Sequence, residues 1–138
     1  MAKIIILIFI LLESANVITL YFFPDSTYAN GIGVFHAWKK AQADPEIGRF
    51  ARYMVNWVAG TKLIFLLLLV VILWTGDAQT LRLVSAVMTL AIASFFWRLF
   101  PLIRQMSRHK EITPANYDQM LGVMIAVMVA AFALAAVL

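Results

Sequence analysis

The sequence predicts an all-α integral membrane protein, a four-helix bundle with a short interfacial helix between the first two spans. Hydrophobic residues make up 64% of the chain and charged residues only 13%, whereas soluble domains carry about 45–50% and about 25%. Four apolar runs each extend over about 20 residues, the helix length that crosses a hydrocarbon core. We therefore expect one membrane domain over residues 1–138, with spans at about 4–23, 55–74, 81–100 and 117–138.

The first span follows Lys3 and ends before Pro24, a residue that stops helices. A secretory signal peptide is the alternative, because it also places a basic residue before an apolar stretch. However, the apolar run continues past Glu13 to Phe23, and no small-residue cleavage site appears. We therefore expect an uncleaved membrane helix.

The second helix is expected to begin before its apolar core. Asp44 is a favourable N-cap residue, and Pro45 suits the first helical position. A helix from Pro45 to Trp74 has a length of about 45 Å, so its first turns are expected to stand out in the membrane interface. Gly76 and Asp77 are expected to close this helix and cap the next one.

Two prolines mark the remaining helices. Pro101 predicts the end of the third helix or a kink in it, because proline cannot donate a backbone hydrogen bond. The pair Thr113–Pro114 resembles a cap followed by a first-turn proline. The fourth helix is therefore expected to start near Pro114.

The segment between the first two spans has an amphipathic pattern. Ile32, Phe35 and Trp38 recur every three residues, and Lys39 and Lys40 follow them. This pattern is typical of a short helix that lies flat on the lipid headgroups. An ordered loop with aromatic anchors is an equally good interpretation.

Most basic residues fall in two loops, 24–54 and 101–116, which lie on one side of a protein with four spans. The positive-inside rule places both loops in the cytoplasm and both termini outside, in the cell (inner) membrane. We attribute the net charge of +4 to this orientation and to contact with anionic lipids, and we expect no nucleic-acid partner. The basic residues concerned are Lys39, Lys40, Arg49, Arg52, Arg104, Arg108 and Lys110.

Several kinds of chemistry lack the residues they need. The chain has no cysteine, which excludes disulfides, thiolate metal sites and cysteine nucleophiles. His36 and His109 lie in different loops, so no metal site is expected. Gly31 and Gly33 form an isolated G-x-G that is too short for a phosphate loop. No catalytic residue and no cofactor can be assigned, and a non-enzymatic protein is favoured.

Ionisable residues within a span are costly and are functional candidates by default. Glu13 lies near the bilayer centre, Asn16 shares its helix face, and Lys62 lies about 10 Å deep from the same side. We expect a Glu13–Lys62 pair within a ligand- or ion-binding cluster. The alternative is a pair that only fixes helix register, with Lys62 and Arg98 reaching the interface. The candidate site residues are Glu13, Asn16, Asn56, Lys62 and Arg98.

The fourth span carries small residues at a spacing of four, namely Gly122, Ala126 and Ala130. This pattern lets helix backbones approach closely. We expect tight packing of this face, either within the chain or against another subunit. The expected partners are therefore the lipid bilayer and either further copies of the chain or a larger membrane complex.

The four spans and the basic first loop resemble, in outline, the MAPEG family of membrane proteins in eicosanoid and glutathione metabolism. Arg52 and Asn56 fall where that family has an Arg-x-His-x-Asn-x-x-Glu run, with Met54 and Ala59 at the His and Glu positions. The resemblance implies a membrane glutathione transferase. The position of Glu13 in the first helix resembles the small multidrug transporters, which also have a glutamate in that helix. The long first loop of this chain differs from theirs. No family is assigned.

Three functions follow from these patterns. The leading hypothesis is a non-enzymatic membrane protein that binds or transports a small molecule, ion or lipid through the polar cluster. The first alternative is a structural or accessory subunit of a larger membrane complex, in which the cluster serves only packing. The second alternative is a MAPEG-like glutathione transferase.

Overall fold

The computed structural model describes residues 1–138, which form helices without a β-sheet. Four helical stretches are long and apolar enough to cross a membrane, so the prediction of an all-α protein with four such stretches is confirmed. The helices are α1 (Ala2–Phe22), α2 (His36–Gln42), α3 (Pro45–Thr75), α4 (Ala78–Ala93), α5 (Leu99–Arg108) and α6 (Tyr117–Val137). The third long stretch consists of α4 and α5 together.

Helix α1 lies at the centre of the bundle. It packs along α3, whereas α4 packs along α6, and contacts of α1 with α4 and α6 join the two pairs. The Phe9 ring meets Phe65 of α3 and Phe132 of α6 edge to face, with centroids 6.1 and 5.4 Å apart. Such aromatic pairs add to the stability from burial. Helix α3, in contrast, contacts mainly α1 and α2 and lies at the edge of the bundle.

The outer surface of the long helices is mostly apolar. At most 28% of the most apolar stretch of any of the four is buried. Large apolar side chains therefore face outward along every helix, for example Leu11, Ile64, Val87 and Val127. Apolar patches of this extent are rare on soluble monomers.

The predicted start of the second long helix is confirmed. The Asp44 carboxylate accepts hydrogen bonds from the backbone N–H groups of Glu46 at 2.8 Å and Ile47 at 3.1 Å. Pro45 occupies the first turn, where its missing N–H costs nothing. The 31 residues of α3 correspond to a helix of about 46 Å.

The third long helix breaks before Pro101 rather than at it. Helix α4 ends at Ala93, a 3-10 turn follows over Ser94–Phe96, and α5 begins at Leu99. A proline lacks the N–H that would bond four residues back, and its ring crowds that carbonyl. The disruption therefore falls in the preceding turn, and Pro101 itself lies in the first turn of α5, where proline is tolerated.

The expected start of the fourth helix near Pro114 is wrong, because α6 begins at Tyr117. The backbone before it pairs with the first loop: the Thr113 N–H donates to the Val34 carbonyl at 2.9 Å, and a single β-bridge joins Phe35 to Ile112. This extended pairing prevents Thr113 from capping a helix. It also holds the two basic loops together at one end of the bundle.

A short helix, α2, does form between the first two long helices, but its apolar side faces the protein. Trp38 is only 7% exposed, and Val34 just before the helix is fully buried. Ile32 and Phe35 are half-buried, whereas Lys39 is exposed. The contact of this helix with lipid headgroups therefore stays a prediction, and its aromatic residues serve first as internal packing.

Asp77 caps α4 and gives a testable pH dependence. The Thr80 backbone N–H donates to the Asp77 carboxylate at 2.8 Å, and this bond together with the Thr80 hydroxyl lowers the pKa of Asp77 below its ordinary value. The stabilisation is therefore present above the unfolded pKa of about 3.9 and is lost as the pH falls through the lower folded value.

Asp77→Asn keeps a capping oxygen that does not titrate. We expect the melting temperature of the wild type to fall relative to that of Asp77→Asn when the pH is lowered from 5 to 3. Thermal unfolding of both proteins across this range measures the difference. A difference that does not vary with pH contradicts the role of the ionised cap.

Candidate functional site

Three of the predicted site residues form one hydrogen-bonded network between α1 and α3. The Lys62 ammonium lies 2.6 Å from Oε2 of Glu13 and donates to Oδ1 of Asn16, also at 2.6 Å. Glu13 and Asn16 are three residues apart and so share a helix face. Lys62 lies between buried Ala59 and Leu66, each one turn away on α3. We call these three residues the Lys62 network.

Asn16 extends the network to the loop that follows α1. Its Nδ2 donates to the carbonyl oxygens of Ala29 at 2.6 Å and Asn30 at 3.1 Å. Both loop residues adopt left-handed backbone angles, with φ of 51° and 55°. Asparagine tolerates this conformation, whereas alanine does so only at a cost. The buried Asn16 amide thus holds a strained turn against the side of α1.

Gly31 and Gly33 allow this loop to fold back tightly. A Cβ atom at Gly33 would overlap the backbone oxygen of Asp25, and one at Gly31 would overlap that of Ser26. The Gly33 N–H also donates to the Ser26 carbonyl at 3.0 Å. The isolated G-x-G is therefore a motif for close backbone packing beside the network.

Asn30 is a residue of this site that the sequence analysis missed. Its Oδ1 accepts from the Tyr117 hydroxyl at 3.5 Å, and its Nδ2 lies 3.8 Å from the Met124 sulfur. The loop therefore connects α1 to α6. The dipeptide formed by Asn30 and Gly31 is a common turn signal, and it was the only local indication of this role.

The network is closed on the loop side and open on the outer side of the bundle. The Lys62 side chain is 33% exposed and that of Glu13 is 23% exposed. Lys62 also lines a groove of about 360 Å³ along α3. Met54, Trp57, Val58 and Thr61 complete the walls of this groove.

A second cavity, of about 540 Å³, lies between the end of α1, helix α2 and the first half of α3. We call it the end cavity. On one wall the Trp38 indole donates to the Asp25 carboxylate at 2.6 Å. On another, Nε and an Nη of Arg52 donate to Oε1 of Gln42 at 3.0 and 2.8 Å. The lining residues are Leu20, Tyr21, Pro24, Asp25, Trp38, Lys39, Gln42, Arg52, Val55 and Asn56.

The end cavity is lined by basic side chains, and one hydrogen-bond donor buried beside it is unused. Nε2 of Gln42 is the one buried side-chain nitrogen or oxygen without a hydrogen-bond partner. The Lys39 ammonium also borders the cavity and is part of an exposed side chain. A buried donor without an acceptor costs about 1–3 kcal/mol. Because this nitrogen has almost no accessible surface, an occupant of the cavity reaches it only if the Gln42 side chain turns toward the cavity.

Asn56 borders the end cavity and does not join the Lys62 network. It lies six residues from Lys62 on the same helix, which corresponds to about 9 Å along the axis and to a different face. The expectation that Asn56 and Lys62 belong to one cluster rested only on their similar depth in the predicted span. The rotation around α3 separates the two side chains.

Arg98 lies outside both the Lys62 network and the end cavity. It is exposed at the start of α5, and its guanidinium carbon lies 5.2 Å from the centre of the Trp97 ring. The break before Pro101 removes this residue from the regular helix. In addition, the second half of the chain packs around α6 rather than along α3.

The small residues of α6 divide between two environments. Gly122 packs against the Phe100 ring so closely that a Cβ atom there would lie 2.6 Å from a ring carbon. Ala126 and Ala130 are exposed. Only Gly122 therefore serves close packing within the chain, and the role of the two alanines stays a prediction.

No protein-family model, curated protein or solved structure matches this chain. The MAPEG resemblance consequently rests on the four long helices, the basic first loop, and Arg52 and Asn56. Both Arg52 and Asn56 border the end cavity.

Proposed function

We propose that this chain is a non-enzymatic integral membrane protein that binds the anionic headgroup of an amphipathic molecule in the end cavity. Its four long helices span the bilayer, and loops 24–54 and 101–116 lie in the cytoplasm. Support comes from the apolar outer surface and from the backbone pairing that holds both basic loops at one end. Movement of the bound molecule across the membrane is the stronger form of this proposal.

The observation that carries the proposal is the chemistry of the end cavity. Lys39 and Arg52 supply positive charge and N–H donors at its wall. The single acidic side chain, Asp25, already accepts a hydrogen bond from Trp38. A phosphate or carboxylate headgroup provides the acceptors that these donors lack, through strong charge-assisted hydrogen bonds.

The position of the end cavity suits an amphipathic ligand. Trp38 and Tyr21 border it, and both residue types are enriched at the level of lipid headgroups. Leu20 and Val55 form an apolar part of the wall, where an attached hydrocarbon chain can leave toward the bilayer. Juxtamembrane basic residues additionally attract anionic lipids.

The Lys62 network has a supporting role in this proposal. Asn16 lies one turn before Leu20, which corresponds to about 6 Å along α1. It holds the loop whose first residues, Pro24 and Asp25, form part of the cavity wall. The network therefore stabilises the loop that forms part of the wall of the end cavity.

Binding is tested by native mass spectrometry and by titration with anionic and zwitterionic lipids in detergent micelles. We expect Lys39→Gln combined with Arg52→Gln to weaken binding of an anionic lipid about tenfold or more, since each lost charged hydrogen bond removes about 1.5–3 kcal/mol. Binding of a zwitterionic lipid is expected to change less. Inorganic phosphate as a competitor distinguishes recognition of the headgroup from insertion of the chain.

The matched control is Lys40→Gln combined with Arg49→Gln. These residues carry the same charge in the same loop, are exposed, and do not border the end cavity. We expect less than about a twofold loss in the control, because only diffuse attraction is reduced. Equal losses in the two double variants would show general surface attraction and would overturn the proposed site.

A second candidate function, an accessory subunit of a larger membrane complex, is favoured by the hydrogen bonding of the Lys62 network. Every member of the network has a partner within the chain, as a purely structural element requires. If Glu13→Gln combined with Lys62→Met leaves lipid binding unchanged, the network serves packing alone. The glutathione transferase alternative predicts turnover of a thiol conjugate, which an assay with glutathione tests directly.

A further inference from the structure

The outer side of the Lys62 network exposes charge at a depth where lipid offers no partner. Glu13 is nine residues from the last residue of α1, or about 14 Å along the helix axis. At this depth an acyl chain neither donates nor accepts hydrogen bonds. Even so, Glu13 and Lys62 are 23% and 33% exposed on the surface of the isolated chain. Such groups normally face the interior of a bundle.

Each of the two charges retains one unused hydrogen-bonding position. The Glu13 carboxylate accepts through Oε2 and leaves Oε1 without a bond. The Lys62 ammonium has three donors and uses two of them within the chain. One acceptor and one donor, which are complementary to each other, therefore remain side by side.

The surface beside these charges is a groove along α3 with mostly apolar walls. The groove is bordered by Lys62 and by side chains that are substantially exposed, including Trp57 at 60% and Val58 at 46%. Helix α3 lies at the edge of the bundle, so this side of it is not covered by another helix of the chain. We call this surface the Lys62 face; it consists of the groove residues Met54, Trp57, Val58, Thr61 and Lys62, together with the partly exposed Glu13 that pairs with Lys62.

We propose that a second copy of this chain covers the Lys62 face, related by a two-fold axis parallel to the membrane normal. Rotation about such an axis leaves every residue at the same depth in the membrane. It also places the Lys62 faces of the two copies against each other, with left and right exchanged. Glu13 of one copy then lies opposite Lys62 of the other. Oε1 of each carboxylate accepts from the third N–H of the opposite ammonium, and the two ion pairs become a closed network of four charges.

Charge complementarity favours a second copy over other occupants of the groove. The exposed groups are one donor and one acceptor at the same depth, because their charged atoms are 2.6 Å apart. A two-fold-related copy supplies the same two groups in the opposite order. The small residues Ala126 and Ala130 on α6 offer the competing surface, but they carry no unsatisfied polar group.

Disulfide cross-linking tests the proposal cleanly because the chain contains no cysteine. Thr61→Cys and Val58→Cys place single thiols on the Lys62 face, and Val87→Cys and Ala126→Cys place them on exposed positions of α4 and α6. Since a disulfide requires Cα atoms within about 7 Å, we expect dimer yields about fivefold higher on the Lys62 face after mild oxidation in membranes. Equal yields, or a dimer only through Ala126→Cys, overturn the proposal.

A charge exchange tests the pairing across copies. The double variant Glu13→Lys with Lys62→Glu restores an ion pair within each chain and also restores complementarity between two identical copies. A mixed dimer of wild-type and exchanged chains instead sets like charges opposite each other. We therefore expect native mass spectrometry of co-expressed chains, with a mass-shifting affinity tag on one of the two because the exchange itself leaves the chain mass unchanged, to show mixed dimers well below their statistical share.

Mixed dimers at the statistical share contradict the pairing of charges across the interface. A chain that stays at its monomer mass of 15.5 kDa in several lipid compositions overturns the proposal as a whole, as does a different protein bound in place of the second copy. Lipid binding by the end cavity is tested through Lys39 and Arg52, which are not part of the Lys62 face. The two proposals can therefore fail independently.

Discussion

Glu13→Gln is expected to lower the free energy of unfolding by about 2–3 kcal/mol, because it leaves the Lys62 ammonium without its carboxylate. The effect is smaller than for a fully buried pair, since both side chains are partly exposed. Lys62→Met is expected to cost a similar amount, because it leaves an unpaired carboxylate. Unfolding of the detergent-solubilised protein by heat or by a graded denaturant measures both values.

The double variant distinguishes a coupled pair from two independent side chains. Glu13→Gln combined with Lys62→Met contains no unpaired charge, so we expect it to cost less than the sum of the single changes by about 1–2 kcal/mol. Leu63→Met is the matched control, because Leu63 is adjacent to Lys62 and is 40% exposed. Strict additivity of the two single changes contradicts the coupling.

Asn16→Leu is expected to cost about 2–3 kcal/mol and to release the loop that follows α1. It removes one hydrogen bond to the Lys62 ammonium and two to loop carbonyls, and bonds to charged groups contribute about 1.5–3 kcal/mol. Without the amide, the left-handed turn at Ala29 and Asn30 loses the contact that stabilises it. Faster hydrogen exchange at the backbone N–H of Gly33 is the direct measure of this release.

Asn16→Asp separates the two roles of this side chain. Aspartate keeps an oxygen for Lys62 but has no N–H to donate to the loop carbonyls. We expect loop exchange to accelerate as in Asn16→Leu, with at least as large a loss of global stability, because the buried carboxylate faces the two loop carbonyl oxygens. Thr19→Val is the control, because the Thr19 hydroxyl bonds only to the Ala15 carbonyl of its own helix. Unchanged exchange at Gly33 in both Asn16 variants contradicts the proposed support of the loop.

The contact between Glu13 and Lys62 was predictable because two simple quantities agree. Counting residues along each helix places both side chains at a similar depth, and adjacent antiparallel helices bring matched depths together. Asn16 follows from the helical repeat. Asn56 and Arg98 matched the pair only in their expected depth and not in the direction that they face. The rotation of α3 and the break before Pro101 then place them elsewhere.

The sequence by itself determined the class of fold, the four long helices, the capping of α3 by Asp44 and the positions of the polar side chains along the helices. These features depend on composition and on residues within a few positions of one another. They follow from hydrophobic length and local hydrogen bonding.

Only the tertiary structure decided which way Trp38 faces, where α6 begins and how the loop after α1 folds back. Each of these depends on a contact between distant segments: Trp38 with Asp25, and Thr113 with Val34. Local propensity does not encode such pairings, because the partner is supplied by the packing of the whole chain. The end cavity exists for the same reason, since its walls come from α1, the first loop, α2 and α3 together.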